Sequence, residues 1–578
     1  MRILIEEYQY DVSKVRDVLY GIDALENMEG RVSIHYVGYY YNMLLKDCVF
    51  ILPKVLLKDV DGQELVFGKY KPEDIANLDT FDSKERSFLY KFAVWIYRAI
   101  VVYKNDRRND TRIVCQSYIA QMCHRGRRQS NTYLDILLSL IQFNQDNQSF
   151  FFFIIKNLHS GLNKINWQRT IATQTAIIQN EQAVYLNPVN KRRQINFDEE
   201  LLIIFFSILN YIGDTYGFPK DICCQFQLIT GKRFDTYLNG FGKTRLRQIK
   251  YKYFSDKALQ LWHLCYNFFD EAQQVMVATE QRDYLLVKNF YVVFEAIIDE
   301  LIGDNPLPDG MEKQQEDGKI VDHLFTSQSL IAGENEQTYY IGDSKYYKIG
   351  HELGSQSIYK QYTYARNVIQ WNIDIFSNGD KPSSGVRLRD DVTEGYNILP
   401  NFFISAKLNE MFSYDDDNIE KTDRKRNRHK RVQFDNRLFD RDTLLLSHYD
   451  VNFLYVLSLY ARDNQSQKTA WKMKVRQCFC KEIQKWLDED YDFYFIKAKT
   501  GVDDKEYFKT HFQQLLGKFY APFEQYKDIY SLALEKGEKY QQENKLLLNQ
   551  LKDYFFVEKF KLEKDQQDVL VRIRTQTH

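Results

Sequence analysis

The sequence has no long apolar run and no export signal. Its apolar stretches, such as residues 150–155, are far shorter than the roughly 20 residues of a membrane-spanning helix. The first residues, MRILIEEYQYD, carry acids where a signal peptide has a basic and then an apolar start. These absences predict a cytoplasmic protein that has no membrane partner.

The sequence also lacks an excess of charge of either sign. Its 78 lysines and arginines balance 79 aspartates and glutamates, which gives a formal net charge of −1. A uniformly basic nucleic-acid-binding protein is therefore excluded, and any nucleic-acid surface must be a local patch. Proline is scarce at 9 residues, beside 42 tyrosines and 40 phenylalanines, a usage that is compatible with an AT-rich genome and need not be functional.

Motifs for zinc and for nucleotides are missing as well. The 8 cysteines include no CxxC, and their two close pairs lack a second half with zinc-ligand spacing. We therefore interpret them as reduced thiols of a cytosolic protein. Residues 240–244, GFGKT, resemble the end of a phosphate loop, but Tyr237 stands where GxxxxGK[ST] requires its first glycine. Nucleotide binding at this segment is therefore not expected.

Residues 317–371 carry, in a usable order, the groups needed to cut a phosphodiester. Asp322 ends a short strand-like run, and residues 338–347 read as a second strand, apolar and aromatic with period-two stretches. Because side chains alternate along a strand, Asp343 and Lys345 project from the same face. If the two strands pair as a hairpin, Asp322 comes beside them.

These residue types suit hydrolysis assisted by a metal ion. Two carboxylates offer oxygen ligands to Mg²⁺, which keeps waters and takes few protein ligands. The ammonium of Lys345 can position or activate the attacking water and offset charge on the phosphate. Gly342 before the second acid also fits, because a strand glycine often allows close approach. The sequence therefore predicts a Mg²⁺ site, with Mn²⁺ as a substitute.

The spacing of these groups resembles a known nuclease motif. Asp322, followed by the Asp-Ser-Lys run that contains Asp343 and Lys345, resembles the PD-(D/E)XK motif, with Asp in place of the more common second Glu. A predicted helix over residues 288–302 contributes Glu295, similar to the acid that many of these folds place on their first core helix.

Three further stretches narrow the resemblance. The run KQYTYA looks like the Gln motif that follows the catalytic lysine in the McrC-like branch, with Gln361 as its glutamine. Together with VGYYYN and CVFILPKVLL near the amino terminus, the chain resembles a LlaJI-type restriction endonuclease. The resemblance is patchy between about residues 60 and 280.

The resemblance implies a fold and a set of site residues. The expected fold class is α/β (α+β overall), with a restriction-endonuclease-like core of mixed β-sheet flanked by helices, a large N-terminal α+β region and a helical C-terminal extension. The catalytic residues implied are Asp322, Asp343, Lys345, Glu295 and Gln361. The metal ligands among them are Asp322, Asp343 and Glu295.

Length and composition predict several domains. A chain of 578 residues is too long for one ordinary core, and 44% apolar with 27% charged residues is typical of a globular protein. We expect a β-rich region at 1–80 and a mainly helical region for DNA recognition or partner docking at 81–280. A nuclease domain at 281–465 and a helical extension at 466–578 follow.

The resemblance also implies an activity and partners. These are Mg²⁺-dependent cleavage of double-stranded DNA in the restriction of foreign DNA, a separately encoded McrB-like GTPase motor, and a homodimer for cutting both strands. The alternative is a non-catalytic subunit that binds DNA or activates the motor, whose nuclease fold is silent without its partner. A structure-specific or RNA-directed nuclease also fits the motif.

Short basic clusters in the N-terminal half are the candidates for DNA contact. An arginine-rich loop with a glycine can reach guanine edges in the major groove, and the run KTRLRQIKYKY can contact phosphates. The predicted DNA-binding residues are Arg125, Arg127, Arg128, Lys243, Arg245, Arg247 and Lys250. Each cluster is equally compatible with a solvated loop end, and this half could serve only to dock a motor subunit.

Overall fold

The computed structural model divides into two compact units, Met1–Phe290 and Tyr291–His578. The residues that the structure describes are 2–20, 26–28, 30–42, 44–45, 47–76, 83–107, 110–116, 133–152, 155–156, 164–165, 167–186, 188–191, 194–195, 200–216, 222, 227–275, 284–307, 313–314, 320–331, 336–348, 355–379, 386–409, 411–421, 428–431, 434–462 and 464–576. Both units mix helices with β-sheets, so the chain is a mixed α/β protein.

The first unit contains one large sheet, several small ones and a group of helices. Its described strands are β1 (Arg2–Ile5), β2 (Tyr10–Asp11), β3 (Glu26–Met28), β4 (Arg31–Ser33), β5 (Tyr36–Asn42), β6 (Asp47–Leu52), β7 (Leu57–Val60), β8 (Gln63–Val66), β9 (Ile113–Gln116), β10 (Ile155–Lys156), β11 (Lys164–Ile165), β12 (Ile177–Gln179), β13 (Gln182–Val184), β14 (Asn190–Lys191), β15 (Gln194–Ile195) and β16 (Tyr284–Lys288). Its described helices are α1 (Val12–Val15), α2 (Pro72–Ile75), α3 (Ser83–Asp106), α4 (Tyr133–Asp146), α5 (Trp167–Thr173), α6 (Glu200–Tyr216), α7 (Lys232–Thr236), α8 (Gly242–Ile249) and α9 (Asp256–Val275).

The large sheet of this unit has the strand order β1-β6-β5-β16-β9. Strand β1 runs parallel to β6, and the other neighbours are antiparallel. Val37 and Tyr39 of the VGYYYN run are buried, as a strand packed against a core requires. Strand β16 lies inside the sheet between β5 and β9, so this unit continues past residue 280, where the sequence analysis ended it.

The long helices of this unit follow from their apolar stripes. The predicted helix at 83–104 is α3, in which Phe88, Phe92, Ile96 and Ala99 are buried along one face. The rings of Phe88 and Phe92, one turn apart, stack with centroids 5.7 Å apart. The helices predicted near 198–211 and 256–277 are α6 and α9.

The second unit contains two sheets. Its described strands are β17 (His323–Gln328), β18 (Gln337–Lys345), β19 (Pro400–Lys407), β20 (Ile419–Lys421), β21 (Arg428–Arg431), β22 (Leu444–Asn452), β23 (Tyr491–Ala498), β24 (Phe519–Tyr520), β25 (Ile529–Glu535) and β26 (Phe555–Phe560). Its described helices are α10 (Tyr291–Ile302), α11 (Ser355–Ser377), α12 (Phe453–Ala461), α13 (Gln465–Asp490), α14 (Asp504–Thr510), α15 (Phe512–Leu515), α16 (Glu538–Tyr554) and α17 (Gln566–Thr575).

The first sheet of this unit is mixed, in the order β17-β18-β19-β22-β20, with β21 also paired to β22. Strands β17 and β18 form the predicted antiparallel hairpin, and β18, β19 and β22 run parallel. Helix α11 covers one face, where Val368 packs in a core with Ile341 and Phe403. Helix α13 covers the other face, where Phe479 contacts Phe402 at 4.8 Å between ring centroids.

The hairpin differs from the sequence prediction in one detail. Asp322 precedes strand β17, which begins at His323, whereas the sequence analysis placed it at the end of a strand. Ile320 forms only an isolated bridge with Gln314. The apolar pair Ile320-Val321 suggested a strand, but regular pairing with β18 starts after the acid, with His323 opposite Gly342.

The C-terminal region is less helical than predicted. Residues 466–578 contain, besides helices, an antiparallel sheet in the order β24-β25-β23-β26. Strand β23 alternates buried and more exposed residues over its first five positions, and Phe495 stacks on Phe560 with centroids 4.0 Å apart. The long polar helices α13 and α16 dominate the composition of the region, so the short aromatic strands between them escaped the sequence analysis.

Candidate active site

Two aspartates meet where the β17–β18 hairpin begins and ends. Since His323 pairs with Gly342, the register places Asp322 beside Asp343. The side chains of Asp322 and Asp343 share a hydrogen bond. The backbone N–H of Ser344 donates to Asp322 Oδ2 at 3.2 Å. The sequence prediction that the hairpin brings these two acids together is confirmed.

The pair is buried, and this changes its protonation. Burial, followed by the hydrogen bond to Asp343, the charge of Asp343 and the charge of Glu295, raises the pKa of Asp322 from its usual 3.8 to about 9. Asp343 is itself only 5% exposed. At neutral pH and without a bound cation, Asp322 therefore keeps its proton. The pair concentrates acceptor oxygens for a cation where Asp343 is buried and Asp322 is half-buried.

Lys345 lies next to the pair, on the same face of β18 as Asp343. Its ammonium forms an ion pair with Asp343 Oδ2. The Nζ atom also lies 5.2 Å from the ring centroid of Phe403. The lysine is thus held against an acid and an aromatic face, and the predicted common orientation of Asp343 and Lys345 is confirmed.

Helix α10 brings a third acid, Glu295, close to the pair. Its charge is one of the causes of the raised pKa of Asp322, although it follows burial and Asp343 in size. Within the described part of the chain, no three His, Cys, Asp or Glu side chains converge closely enough to form a ready-made metal site. Asp322 and Asp343 share a hydrogen bond, and the charge of Glu295 acts on Asp322.

The donor set still fits a small, hard cation. Mg²⁺ keeps several waters and is commonly bound by one or two carboxylates. The Asp322–Asp343 pair supplies two carboxylates whose mutual repulsion a cation would relieve in place of the shared proton. Roles for Asp322, Asp343 and Glu295 as ligands of such an ion remain predictions.

Gln361 is fully buried, and its amide contacts strand β18. Its Nε2 donates to Ile341 O at 3.0 Å and to Asn401 Oδ1 at 3.2 Å. Helix α11 is thereby fastened to β18 two residues before Asp343. These contacts stabilise the position of the strand that carries Asp343 and Lys345. A catalytic role for Gln361 remains a prediction.

Four residues near the pair form a polar network that the sequence did not predict: Asp299, Lys313, His323 and Ser344. His323 shares a hydrogen bond through Nε2 with Ser344 Oγ, and its Nδ1 lies 3.4 Å from Asp299 Oδ1. Lys313 Nζ lies 2.6 Å from Asp299 Oδ2. Burial lowers the pKa of His323, which favours a neutral ring. One signal was available: Asp299 lies one helical turn after Glu295.

The predicted DNA-binding residues belong to the first unit, and some lie outside the described residues. Arg125, Arg127 and Arg128 fall in the segment 117–132, which the structure does not describe. Lys243 forms an ion pair with Asp270. The contact of Arg125, Arg127 and Arg128 with guanine therefore stays a prediction.

The other cations at and just after α8 have partners within the protein. Arg245 forms a two-pronged contact with Glu200, with Nη2 at 3.0 Å from Oε2. Arg247 donates to the hydroxyl of Tyr266 at 3.0 and 2.7 Å. Lys250 Nζ lies 4.3 Å from the ring centroid of Trp262. Internal acids therefore offset part of the charge of this basic stretch.

The GFGKT run begins at a kink between two helical segments rather than in a strand-to-helix loop. The backbone is non-helical at Asn239 and at Gly240, where φ is 108°, and α8 begins at Gly242. A Cβ at Gly242 would meet the ring of Phe269 at 2.8 Å, so close packing against α9 explains this glycine. The geometry agrees with the expectation that the segment is not a phosphate loop.

Comparisons with known proteins give little beyond this geometry. No protein-family model matches the chain, and no curated protein matches it. Among solved structures, the chain is similar to one from a half-complex of the tetradecameric assembly of Thermococcus gammatolerans McrB AAA+ hexamers with bound McrC. The identity is 11%, the TM-score is 0.29, and the match covers 82% of this chain and 99% of that chain. A likeness at this TM-score carries no argument about fold or function. None of the described helices has the length and apolar character needed to cross a membrane.

Proposed function

We propose that the chain is a Mg²⁺-dependent endonuclease that cleaves double-stranded DNA, as the nuclease subunit of a restriction or anti-phage system. The observation that carries the proposal is the contact of Asp322 with Asp343 across one hairpin, with Lys345 ion-paired to Asp343. Two acids and a lysine in this order are the groups of the PD-(D/E)XK motif. The two acids meet because of the register of the β17–β18 hairpin. A chance match to the motif in the sequence would not be expected to bring them together.

The surrounding elements support a nuclease core of this class. The acids lie on an antiparallel hairpin whose second strand continues into the parallel pairs β18–β19 and β19–β22. Helix α10 precedes the hairpin with Glu295, and α11 follows it with Gln361. This succession of helix, hairpin, helix and strand is the one that the sequence resemblance implies for a PD-(D/E)XK core.

The residues present can perform the steps of metal-assisted hydrolysis. Asp322 and Asp343 would hold Mg²⁺, which supplies Lewis-acid activation of water and charge neutralisation at the phosphate. Lys345, already beside Asp343, is placed to orient the attacking water and to offset the charge that develops on the phosphate. Glu295 adds a negative charge next to the pair and can accept a hydrogen bond from a metal-bound water.

The partners in this proposal are duplex DNA and a separate GTPase motor. No complete phosphate loop occurs at 240–244, so GTP hydrolysis would have to come from another, McrB-like chain. A homodimer, or two copies joined by the motor, would allow both strands to be cut. The finer assignment to LlaJI-type enzymes is part of the same proposal.

Cleavage of phage and plasmid DNA by the purified chain with Mg²⁺, alone and with the adjacent gene's product plus GTP, tests the function. We expect Asp343→Ala to abolish cleavage and metal binding, because a ligand is lost, while DNA binding stays. Lys345→Met should lower the cleavage rate by about 10²-fold or more and keep metal binding. Lys407→Met is the matched control, because this exposed lysine on the next strand forms an ion pair with the surface acid Glu420. Cleavage by either site variant at the wild-type rate would contradict the assignment.

A silent subunit is the second candidate, and one observation favours it. Among the described residues, no three His, Cys, Asp or Glu side chains are grouped closely enough to hold a metal ion, and Lys345 is ion-paired with Asp343. Such a site could await rearrangement by a partner, or serve only as a scaffold. Binding of Mn²⁺ and DNA without cleavage, with and without the motor and GTP, would favour the scaffold.

A further inference from the structure

A chain of polar contacts lies behind the acidic pair, on the α10 side of the hairpin. Side chains alternate along β18, so Ser344 faces away from Asp343 and Lys345. There it shares a hydrogen bond with His323 Nε2, and His323 Nδ1 lies 3.4 Å from Asp299 Oδ1 on α10. Three elements, α10, β17 and β18, are joined through these contacts.

Lys313 connects this network to Asp322. Its Nζ lies 2.6 Å from Asp299 Oδ2 and donates to the backbone oxygen of Asp322 at 2.7 Å. The other end of the network also reaches Asp322, because the N–H of Ser344 donates to Asp322 Oδ2 at 3.2 Å. Asp322 is thus held at its backbone by Lys313 and at its carboxylate by Ser344.

The order of acid, histidine and serine resembles a nucleophilic triad, but its burial excludes that chemistry. A serine nucleophile needs room for a substrate beside its Oγ. Ser344 is 6% exposed and His323 is 0% exposed, so no substrate atom can approach them. The network can act only through the groups that it holds.

We infer that Asp299, Lys313, His323 and Ser344 are positioning residues that aim the Asp322 carboxylate at the metal site. The inference rests on the proposed nuclease function, since it takes Asp322 as a ligand. The N–H of Ser344 holds the carboxylate of Asp322, and the ammonium of Lys313 holds its backbone oxygen. These fixed donors keep Asp322 in one orientation, which a metal ligand requires.

Direct Mn²⁺ binding to the full-length protein tests this role without relying on cleavage. Lys313→Met removes the ammonium that spans Asp299 and Asp322, and Ser344→Ala removes the hydroxyl but keeps the N–H donor. Each should weaken Mn²⁺ binding, followed by the paramagnetic resonance of free Mn²⁺, by about tenfold. Lys313→Arg can span the same two oxygens and should keep most of the wild-type affinity.

The controls separate positioning from general stability. Lys499→Met is matched, because this lysine also donates to backbone oxygens, those of Lys552 and Asp553, in the C-terminal sheet. It should leave Mn²⁺ affinity unchanged, even if the melting temperature falls. Wild-type affinity in both Lys313→Met and Ser344→Ala, measured on folded protein, would overturn the inference. A wild-type chain that binds no Mn²⁺ would overturn the metal site itself, which is a different result.

Discussion

Asp322 makes the folded protein sensitive to pH when no cation is bound. Its pKa is raised to about 9 in the folded chain from the usual 3.8, first by burial and then by Asp343. Between these two values the folded state binds more protons than the unfolded state, so this group makes stability fall as pH rises. Its effect is absent below the lower value and complete above the higher one.

The first prediction follows from this sign. Asp322→Asn should raise the melting temperature of the metal-free protein at pH 8, because it removes a buried acid that must otherwise stay protonated. The gain should shrink toward pH 4, and Mn²⁺ binding should be lost. Thermal unfolding in EDTA at several pH values measures both trends.

Asp304 is the control for this experiment, because partners in the folded protein stabilise its negative charge. Asp304 pairs with Arg476 at 2.7 Å and accepts from Thr326 N at 2.7 Å. Asp304→Asn should therefore lower the melting temperature under the same conditions. If Asp322→Asn lowered the melting temperature by the same amount at pH 8, the conclusion that the pKa of Asp322 is raised would be wrong.

At the scale of elements, the position of β18 depends on close packing against β19. A Cβ at Gly342 would lie 2.2 Å from the ring of Phe402, so no larger residue fits without displacing that ring. The same residue pairs with His323 across the hairpin. Gly342 therefore fixes the strand that carries Asp343 at the level of the acidic pair.

The second prediction concerns this packing. Gly342→Ala should lower the free energy of unfolding by about 1–3 kcal/mol, because the added methyl group overpacks the sheet. Phe402→Leu, which removes the obstructing ring edge, should recover part of the loss in the double variant. Urea unfolding of the four proteins of this cycle gives the coupling energy, and additive losses would mean that the two residues do not compete for space.

The third prediction concerns Gln361 and the attachment of α11. Gln361→Leu leaves Ile341 O and Asn401 without this donor, so stability should fall by about 1–3 kcal/mol. If bracing is its role, the folded variant should bind Mn²⁺ with nearly wild-type affinity. A loss of cleavage at unchanged stability would instead support the catalytic role implied by the sequence resemblance.

At the scale of the whole molecule, DNA recognition is expected in the first unit. The paired cations at α8 are less available to phosphates than their number suggests, because Glu200 and Asp270 offset Arg245 and Lys243. We therefore expect the arginine-rich run at 125–128 to contribute more to DNA binding than the cations at α8. A fragment that ends at residue 280 would lack β16, an inner strand, so full-length protein is the better material.

The fourth prediction compares these two groups of cations. In an Asp343→Ala background that prevents cutting, Ala substitution of Arg125, Arg127 and Arg128 should weaken duplex binding more than Ala substitution of Arg245 and Arg247. The same two sets of substitutions, made in the otherwise wild-type chain, should leave its Mn²⁺ affinity unchanged. Binding measured over a salt series would show a smaller slope as phosphate contacts are lost. Unchanged DNA binding in both variants would favour motor docking as the role of this unit.

The sequence alone determined what local periodicity can specify. Alternation along a strand placed Asp343 and Lys345 on one face, and an apolar stripe specified α3, because both depend on residues close in the chain. The hairpin was also predictable, since two short strand patterns flank a polar turn. Local patterns did not reveal the C-terminal sheet, whose short strands lie between long polar helices.

Only the tertiary structure decided how distant groups meet. Register brought Asp322 against Asp343, and burial then set the pKa of Asp322. Gln361 reached Ile341 across the helix–sheet packing, and Glu200 reached Arg245 from 45 residues away. Burial and long-range pairing arise from the packing of whole elements, which no local pattern encodes.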